Sequence, residues 1–174
     1  DYLQKMLWGT RPYEREVGAA DQLFRDYFNS IADRIRKREP LDDLLEEASR
    51  RFQLLKDTEK PRRPLVGING EIYLRSNDFS NSHLVRVCED AGLEVVVSPM
   101  GEWINYVSHR NLEDAIKDHR FRKILSGHLR RWTQRRIEDS VAKHFRSRLD
   151  IEEPSVEALL ALSRDYLSPR CGSE

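Results

Sequence analysis

Two short apolar runs constrain this sequence more than any other feature: Leu65–Ile68 (LVGI) and Leu93–Val97 (LEVVV). Apolar runs of this length, bounded by Pro64, Asn69 and Pro99, predict strands covered on both faces. Between them lie a polar loop, 69–81, and a helical stretch whose inner face would carry Leu84, Val85, Cys88 and Ala91. Asn81 or Ser82 is suited to cap that helix, and Gly92 to stop it. Strand, loop, helix, strand is a βαβ unit, so the strands should be parallel and the crossover right-handed. No third run reads convincingly as a strand. A two-stranded parallel sheet leaves edges and faces open. The sheet is therefore expected to be completed by the rest of a longer polypeptide or by a partner subunit, unless a third strand hides among the helical segments.

The rest of the chain reads as helix. The fold class expected is α/β and helix-rich: a Rossmann-like, parallel βαβ core of few strands, flanked by N-terminal and C-terminal helices. Asp1–Gly18 carries Gly9, Pro12 and Gly18 and predicts an irregular, extended arm. A helix follows from Ala19 or Asp21, with Phe24, Phe28, Ile31 and Ile35 on one face, ending at Glu39-Pro40. A second helix places Leu41, Leu44, Leu45, Ala48, Phe52 and Leu55 together, and the two form a hairpin. Lys56–Pro64 (KDTEKPRRP) reads as a charged linker, which sets the expected boundary: 1–60 as arm and helical hairpin, 61–174 as α/β domain with C-terminal helices. EWINYV, from Glu102, begins another helix. Beyond Asn111, Ile116, Phe121, Ile124, Leu125, Leu129 and Trp132 line a face that Ile137, Val141 and Phe145 continue. Trp132 is expected in the core. Glu153-Pro154-Ser155 opens a last short helix.

Composition narrows the function classes. Lys+Arg and Asp+Glu are 30 each among 174 residues, so bulk charge points to neither nucleic acid nor membrane. No apolar run approaches the roughly 18 residues of a membrane span, and no secretory signal is evident, so a cytoplasmic location is expected. The two cysteines, Cys88 and Cys171, lie too far apart for a CxxC site. Cys88 reads as a buried thiol, Cys171 as an exposed one. The histidines, His83, His109, His119, His128 and His144, show no HxH or HExxH spacing. Lys117–Arg148 holds eleven Lys and Arg against Asp118, Glu138 and Asp139. A solvated helix face explains it best, with the acidic helix around 41–47 opposite; a groove for an anionic cofactor such as CoA is the alternative.

The chemistry-bearing groups concentrate in the loop after the first strand. It is neither GxGxxG nor Walker A, so a standard nucleotide site is not expected. Arg75 can fork onto a phosphate or carboxylate. Tyr73, Asn77 and Asn81 can complete a ligand site with it. Glu71, and Glu102 after the second strand, are the candidates for acid–base work, because parallel strand ends open on one edge. The competing reading is that these side chains only cap turns and helices.

RPYE (11–14), PLVGINGEIYLRSNDFSNSHLV (64–85), AGLEVVVSPMGEWINY (91–106) and ALSRDYLSPRCGSE (161–174) occur in this order in a known family. The chain resembles the dehydratase-like region of the activase-related proteins of the 2-hydroxyacyl-CoA dehydratase family, also called CoA-substrate-specific enzyme activases. The resemblance implies a parent that joins an ATP-hydrolysing activator to a region like the iron–sulfur dehydratase subunits. In those systems ATP hydrolysis drives an electron into a 4Fe–4S component that dehydrates a 2-hydroxyacyl-CoA. This chain carries no phosphate-binding ATPase motif and no cysteine-rich cluster loop. The 4Fe–4S cluster and ATP are therefore expected only in the rest of the parent, and no cofactor within these residues.

The expectation is thus an excised domain, inactive alone, that contributes one wall of a ligand or cluster cleft. Its partners would be the remaining domains of the same polypeptide and a CoA thioester. The alternative is a non-catalytic scaffold or protein-docking domain whose polar loop is structural.

Overall fold

The computed structural model describes residues 1–149 and 155–166. Helices dominate: α1 (Tyr2–Thr10), α2 (Ala19–Lys37), α3 (Asp42–Leu55), α4 (Ile72–Ser76), α5 (Leu84–Asp90), α6 (Met100–Lys117), α7 (Phe121–Ala142) and α8 (Val156–Ser163). The strands β1 (Leu65–Ile68) and β2 (Glu94–Val97) pair in parallel, Leu65 opposite Glu94 and Ile68 opposite Val97. The described residues form two compact units, 1–100 with 138–149, and 101–137 with 155–166. The contacts divide near Met100.

The first eighteen residues are not an irregular arm. Leu3, Met6, Leu7 and Thr10 follow at helical spacing and are buried on α1. Gly9 is tolerated inside the last turn, and Pro12 opens the next one, a 3-10 turn over Arg11–Tyr13, where its missing N–H costs nothing. α1 is the central element of the first unit. Its Leu3, Met6 and Leu7 join Ala20, Tyr27, Leu45, Ala48, Phe52 and Phe145 in one core cluster. Its Trp8 packs against the other cluster, formed by Ile68, Val85, Val95 and Val97. Each fully buried side chain of this size contributes about 1.5–3 kcal/mol.

α3 buries the face its sequence predicts, through Leu45, Ala48 and Phe52. α2 is rotated from expectation: Ala20 and Tyr27 are buried, Phe24 and Ile31 pack at the margin, and Phe28 and Ile35 stand exposed. The acidic start of α3 does meet basic residues, since Lys143 reaches Asp42 at 2.6 Å and Arg148 reaches Glu46 at 2.7 Å.

β2 is buried at Glu94, Val95 and Val97, as its apolar run predicts. β1 is not: only Ile68 is buried, and Leu65 is 55% exposed. An apolar sequence sets what a strand tolerates, and neighbours decide what covers it. Gly92, at φ +86, ends α5 in the left-handed region that a non-glycine residue enters at a cost. On α5, Val85 and Glu89 are buried, while Leu84 and Ala91 are exposed.

The segment Arg11–Glu14 ties these parts together. Arg11 grips Glu89 of α5 with Nε and Nη2 at 2.7 and 2.8 Å, and its Nη1 reaches Asp21 of α2 at 3.0 Å. Arg86 closes on Asp21 from the other side at 2.6 Å. The Tyr13 hydroxyl donates to Glu94 of β2 at 2.6 Å and accepts from the Arg63 amide at 3.0 Å. The Glu14 carboxylate accepts from the Gly18 and Ala20 amides at 2.7 and 2.8 Å, satisfying donors at the start of α2. The predicted linker is laced to the same segment, Asp57 N donating to Tyr13 O and Lys60 Nζ to Glu14 O.

The second unit is thinner. On α6, Ser108, Leu112 and Ala115 are buried, and Gly127 of α7 leaves room for Leu112. The Ser155 hydroxyl caps α8 at Ala158 N. Neither core cluster of the described residues contains a residue of this unit. Trp132 is accordingly not core: it is exposed, with the Arg136 guanidinium 5.0 Å from its ring centre. Ile116, Phe121, Leu125, Leu129 and Ile137 are exposed as well. No helix among the described residues is long and apolar enough to cross a membrane. Glu153, Pro154 and Cys171 lie outside the described residues.

Burial acts to raise the Asp21 carboxyl, but the Arg86 hydrogen bond and the charges of Arg11 and Arg86 outweigh it and hold it below its ordinary 3.8. A depressed carboxyl stabilises the fold above that value, and the contribution is lost as pH falls through the lower folded value. The stability gap between the wild type and Asp21→Asn, measured by urea unfolding, is expected to be full at pH 7 and to close below about pH 4. A gap that is flat down to pH 2 would contradict this role.

Candidate functional site

Parallel strands end on the same edge, and that edge carries a cleft of about 420 Å³ within the first unit. The volume falls in the range of small-molecule sites. Val97 at the end of β2 and Ser98–Met100 after it form one side, and Arg75, Ser76 and Asp78, past β1, form another. Leu7 and Trp8 of α1 and Phe24 of α2 supply an apolar wall.

The charge of the lining is uneven. Lys5, Arg11, Arg25, Arg75 and Arg86 stand against Asp1, Asp21 and Asp78. Arg11 and Arg86 are neutralised by Asp21 and Glu89. Arg25 donates to the neutral Gln22 side chain at 2.9 Å. Arg75 Nη1 donates to Asn69 Oδ1 at 3.0 Å and to the Gly70 carbonyl at 3.3 Å, and its buried Nε has no acceptor among the described residues. Two guanidiniums on this cleft thus bond only neutral acceptors. The unsatisfied, buried Nε of Arg75 costs about 1–3 kcal/mol, whereas Arg25 is exposed.

The other sequence candidates serve the backbone. The expected loop contains a short helix, α4, and the Glu71 carboxylate caps it by accepting from Leu74 N at 2.9 Å. Asn77 Oδ1 accepts from Ser80 N at 3.0 Å, closing a turn. The Asn81 side chain donates to Leu74 O at 2.9 Å and accepts from Leu84 N at 3.1 Å, so one amide holds the end of α4 and the start of α5. It braces Ser82 and His83, two non-glycine residues at φ 56 and 57, a conformation that costs about 1–2 kcal/mol per residue. Tyr73 is 61% exposed and does not line the cleft. Glu102 sits in the first turn of α6, in the second unit for most of that helix.

Sequence reasoning missed Arg25, Arg86 and the α1 wall. The signal for α1 was present, as the i, i+3, i+4, i+7 spacing of Leu3, Met6, Leu7 and Thr10. No local signal marks Arg25 or Arg86, which reach the cleft only because α2 packs beside α1 and α5 beside β2.

Cys88, the described cysteine, packs against the sheet cluster. No group of three or more His, Cys, Asp or Glu suited to a metal ion occurs among the described residues. One thiol among the described residues is too few to hold an iron–sulfur cluster. No family model, curated protein or solved structure matches the chain.

Asn81→Ala is expected to lower the stability of the first unit by about 1–2 kcal/mol through loss of its cap and turn bonds, read as a shift in urea midpoint. An unchanged midpoint would show that the backbone holds this turn unaided.

Proposed function

We propose that this chain supplies the anion-binding wall of a cleft for a phosphate-bearing ligand, a CoA thioester, in a dehydratase-like member of the CoA-substrate-specific enzyme activase family. The observation that carries the reading is the pairing of Arg25 and Arg75 on one cleft with no carboxylate partner for either among the described residues. Three further points support it. The cleft lies at the carboxyl ends of parallel strands, where open α/β sheets hold ligands. Its net lining charge is positive, and its apolar wall suits a pantetheine arm or an adenine. The sequence motifs resemble that family. The two strands are read here as the start of a Rossmann-like sheet.

In this role Asn69 and Gly70 hold Nη1 of Arg75 and so fix the plane of its guanidinium, leaving Nη2 for a phosphate oxygen. Arg25, on a helix exposed to water, would take a second phosphate or the same one from another side. Arg11 and Arg86 are committed to Asp21 and Glu89 and hold the wall in place. The chain supplies binding and orientation, and the reaction belongs to groups elsewhere in the parent. Glu71 is proposed as a helix cap and not as an acid or base.

Titration calorimetry of the full chain with CoA, acetyl-CoA and inorganic phosphate tests this. CoA and its thioester are expected to bind, with inorganic phosphate competing weakly. Arg75→Ala should weaken CoA binding by roughly tenfold or more, as loss of a charge-assisted contact does, and Glu71→Gln should leave it unchanged. Absence of saturable CoA binding, or wild-type affinity in Arg75→Ala, would overturn the reading.

A further inference from the structure

We propose that the outer face of α7 docks an acidic amphipathic helix of a partner protein. This inference concerns the second unit and is independent of the cleft. Phe121, Leu125, Leu129 and Trp132 follow at intervals of four, four and three, which places them on one helical face. They are 80%, 75%, 62% and 56% exposed. Isolated exposed apolar residues are ordinary, whereas a continuous row of large ones marks an interaction surface.

One other side of α7 is engaged within the unit. Gly127 lies against Leu112 of α6, and Arg131 and Arg135 both hold Glu157 of α8. The apolar row does not fall on that side. The unit has no core cluster among the described residues that the row could join. No described residue of the unit buries it.

Charge selects the occupant. α7 carries Arg122, Lys123, Arg130, Arg131, Arg135 and Arg136, against Glu138 and Asp139 at its end. Arg131 and Arg135 are paired. No carboxylate among the described residues pairs with Arg122, Lys123, Arg130 or Arg136. Helical geometry puts Arg122 at the edge of the apolar row and Arg136 at its C-terminal end, where Arg136 also lies over the Trp132 ring. A second copy on this face would set arginines against arginines. Nucleic acid would lay a polar backbone across Leu125 and Leu129. A helix with leucines at matching spacing and carboxylates on its flanks satisfies both the row and its rim.

The test uses the full chain and a fluorescent designed peptide, a helix of about 18 residues with leucine at i, i+3, i+4 and i+7 and glutamate on the flanks. Its twin carries lysine for glutamate. The acidic peptide is expected to bind, with affinity falling as salt rises, and the lysine twin is not. Leu129→Asp should weaken binding by roughly tenfold or more while circular dichroism and melting stay unchanged, since the site is exposed; Leu125→Asp is the second variant. Equal binding of the twins, or no binding of the acidic peptide, would overturn the proposal. So would dimerisation in ultracentrifugation or retention on duplex DNA that Leu129→Asp abolishes.

Discussion

One guanidinium holds the first unit in register. Arg11 bonds both oxygens of Glu89 and one of Asp21, and its side chain is only 8% exposed. Buried ions are costly unless each is matched, and removing one member of such a pair leaves the other stranded at about 3–5 kcal/mol. That penalty makes the contact selective: α1, α2 and α5 meet in the one arrangement that satisfies all three side chains. Tyr13 and Glu14 extend the lock to β2 and to the start of α2. The RPYE run thus earns its place through structure, with each of its polar groups closing a contact between elements.

The cleft follows from this lock. The 3-10 turn carrying Arg11 sets α1 over the carboxyl edge of the sheet, where Trp8 packs against the strand cluster and Leu7 walls the cleft. Asp21 is taken by Arg11 and Arg86, and Asp26 accepts from the Gln22 amide, so neither pairs with Arg25. With Asn69 and Gly70 as its partners, Arg75 keeps its full charge. A cleft with surplus positive charge is thus a consequence of how the neighbouring acids are used.

The strands, α3, the Gly92 stop and the start of α8 were legible in the sequence because each depends on local pattern or backbone conformation. α1 was not, because Gly9 and Pro12 look like breakers unless the spacing of Leu3, Met6, Leu7 and Thr10 is weighed against them. The faces of α2 and α7 were misjudged for a different reason: periodicity says which residues share a face, and burial is decided by what packs there. Within the site, Arg75 could be picked out because a lone arginine in a loop has few structural uses. Glu71, Asn77 and Asn81 could not be assigned, because the oxygen and amide groups that bind ligands are the ones that cap helices. Arg25 and Arg86 come together with Arg75 only through tertiary packing.

The central claim is that Arg11 and Glu89 act as a coupled pair that fixes the first unit. A double-mutant cycle with Arg11→Met, Glu89→Gln and the double variant, measured by urea unfolding, tests it most directly. The account predicts that each single change is strongly destabilising and that the double variant is less damaged than the sum, with a coupling of about 2 kcal/mol or more. Additivity within about 0.5 kcal/mol would contradict it.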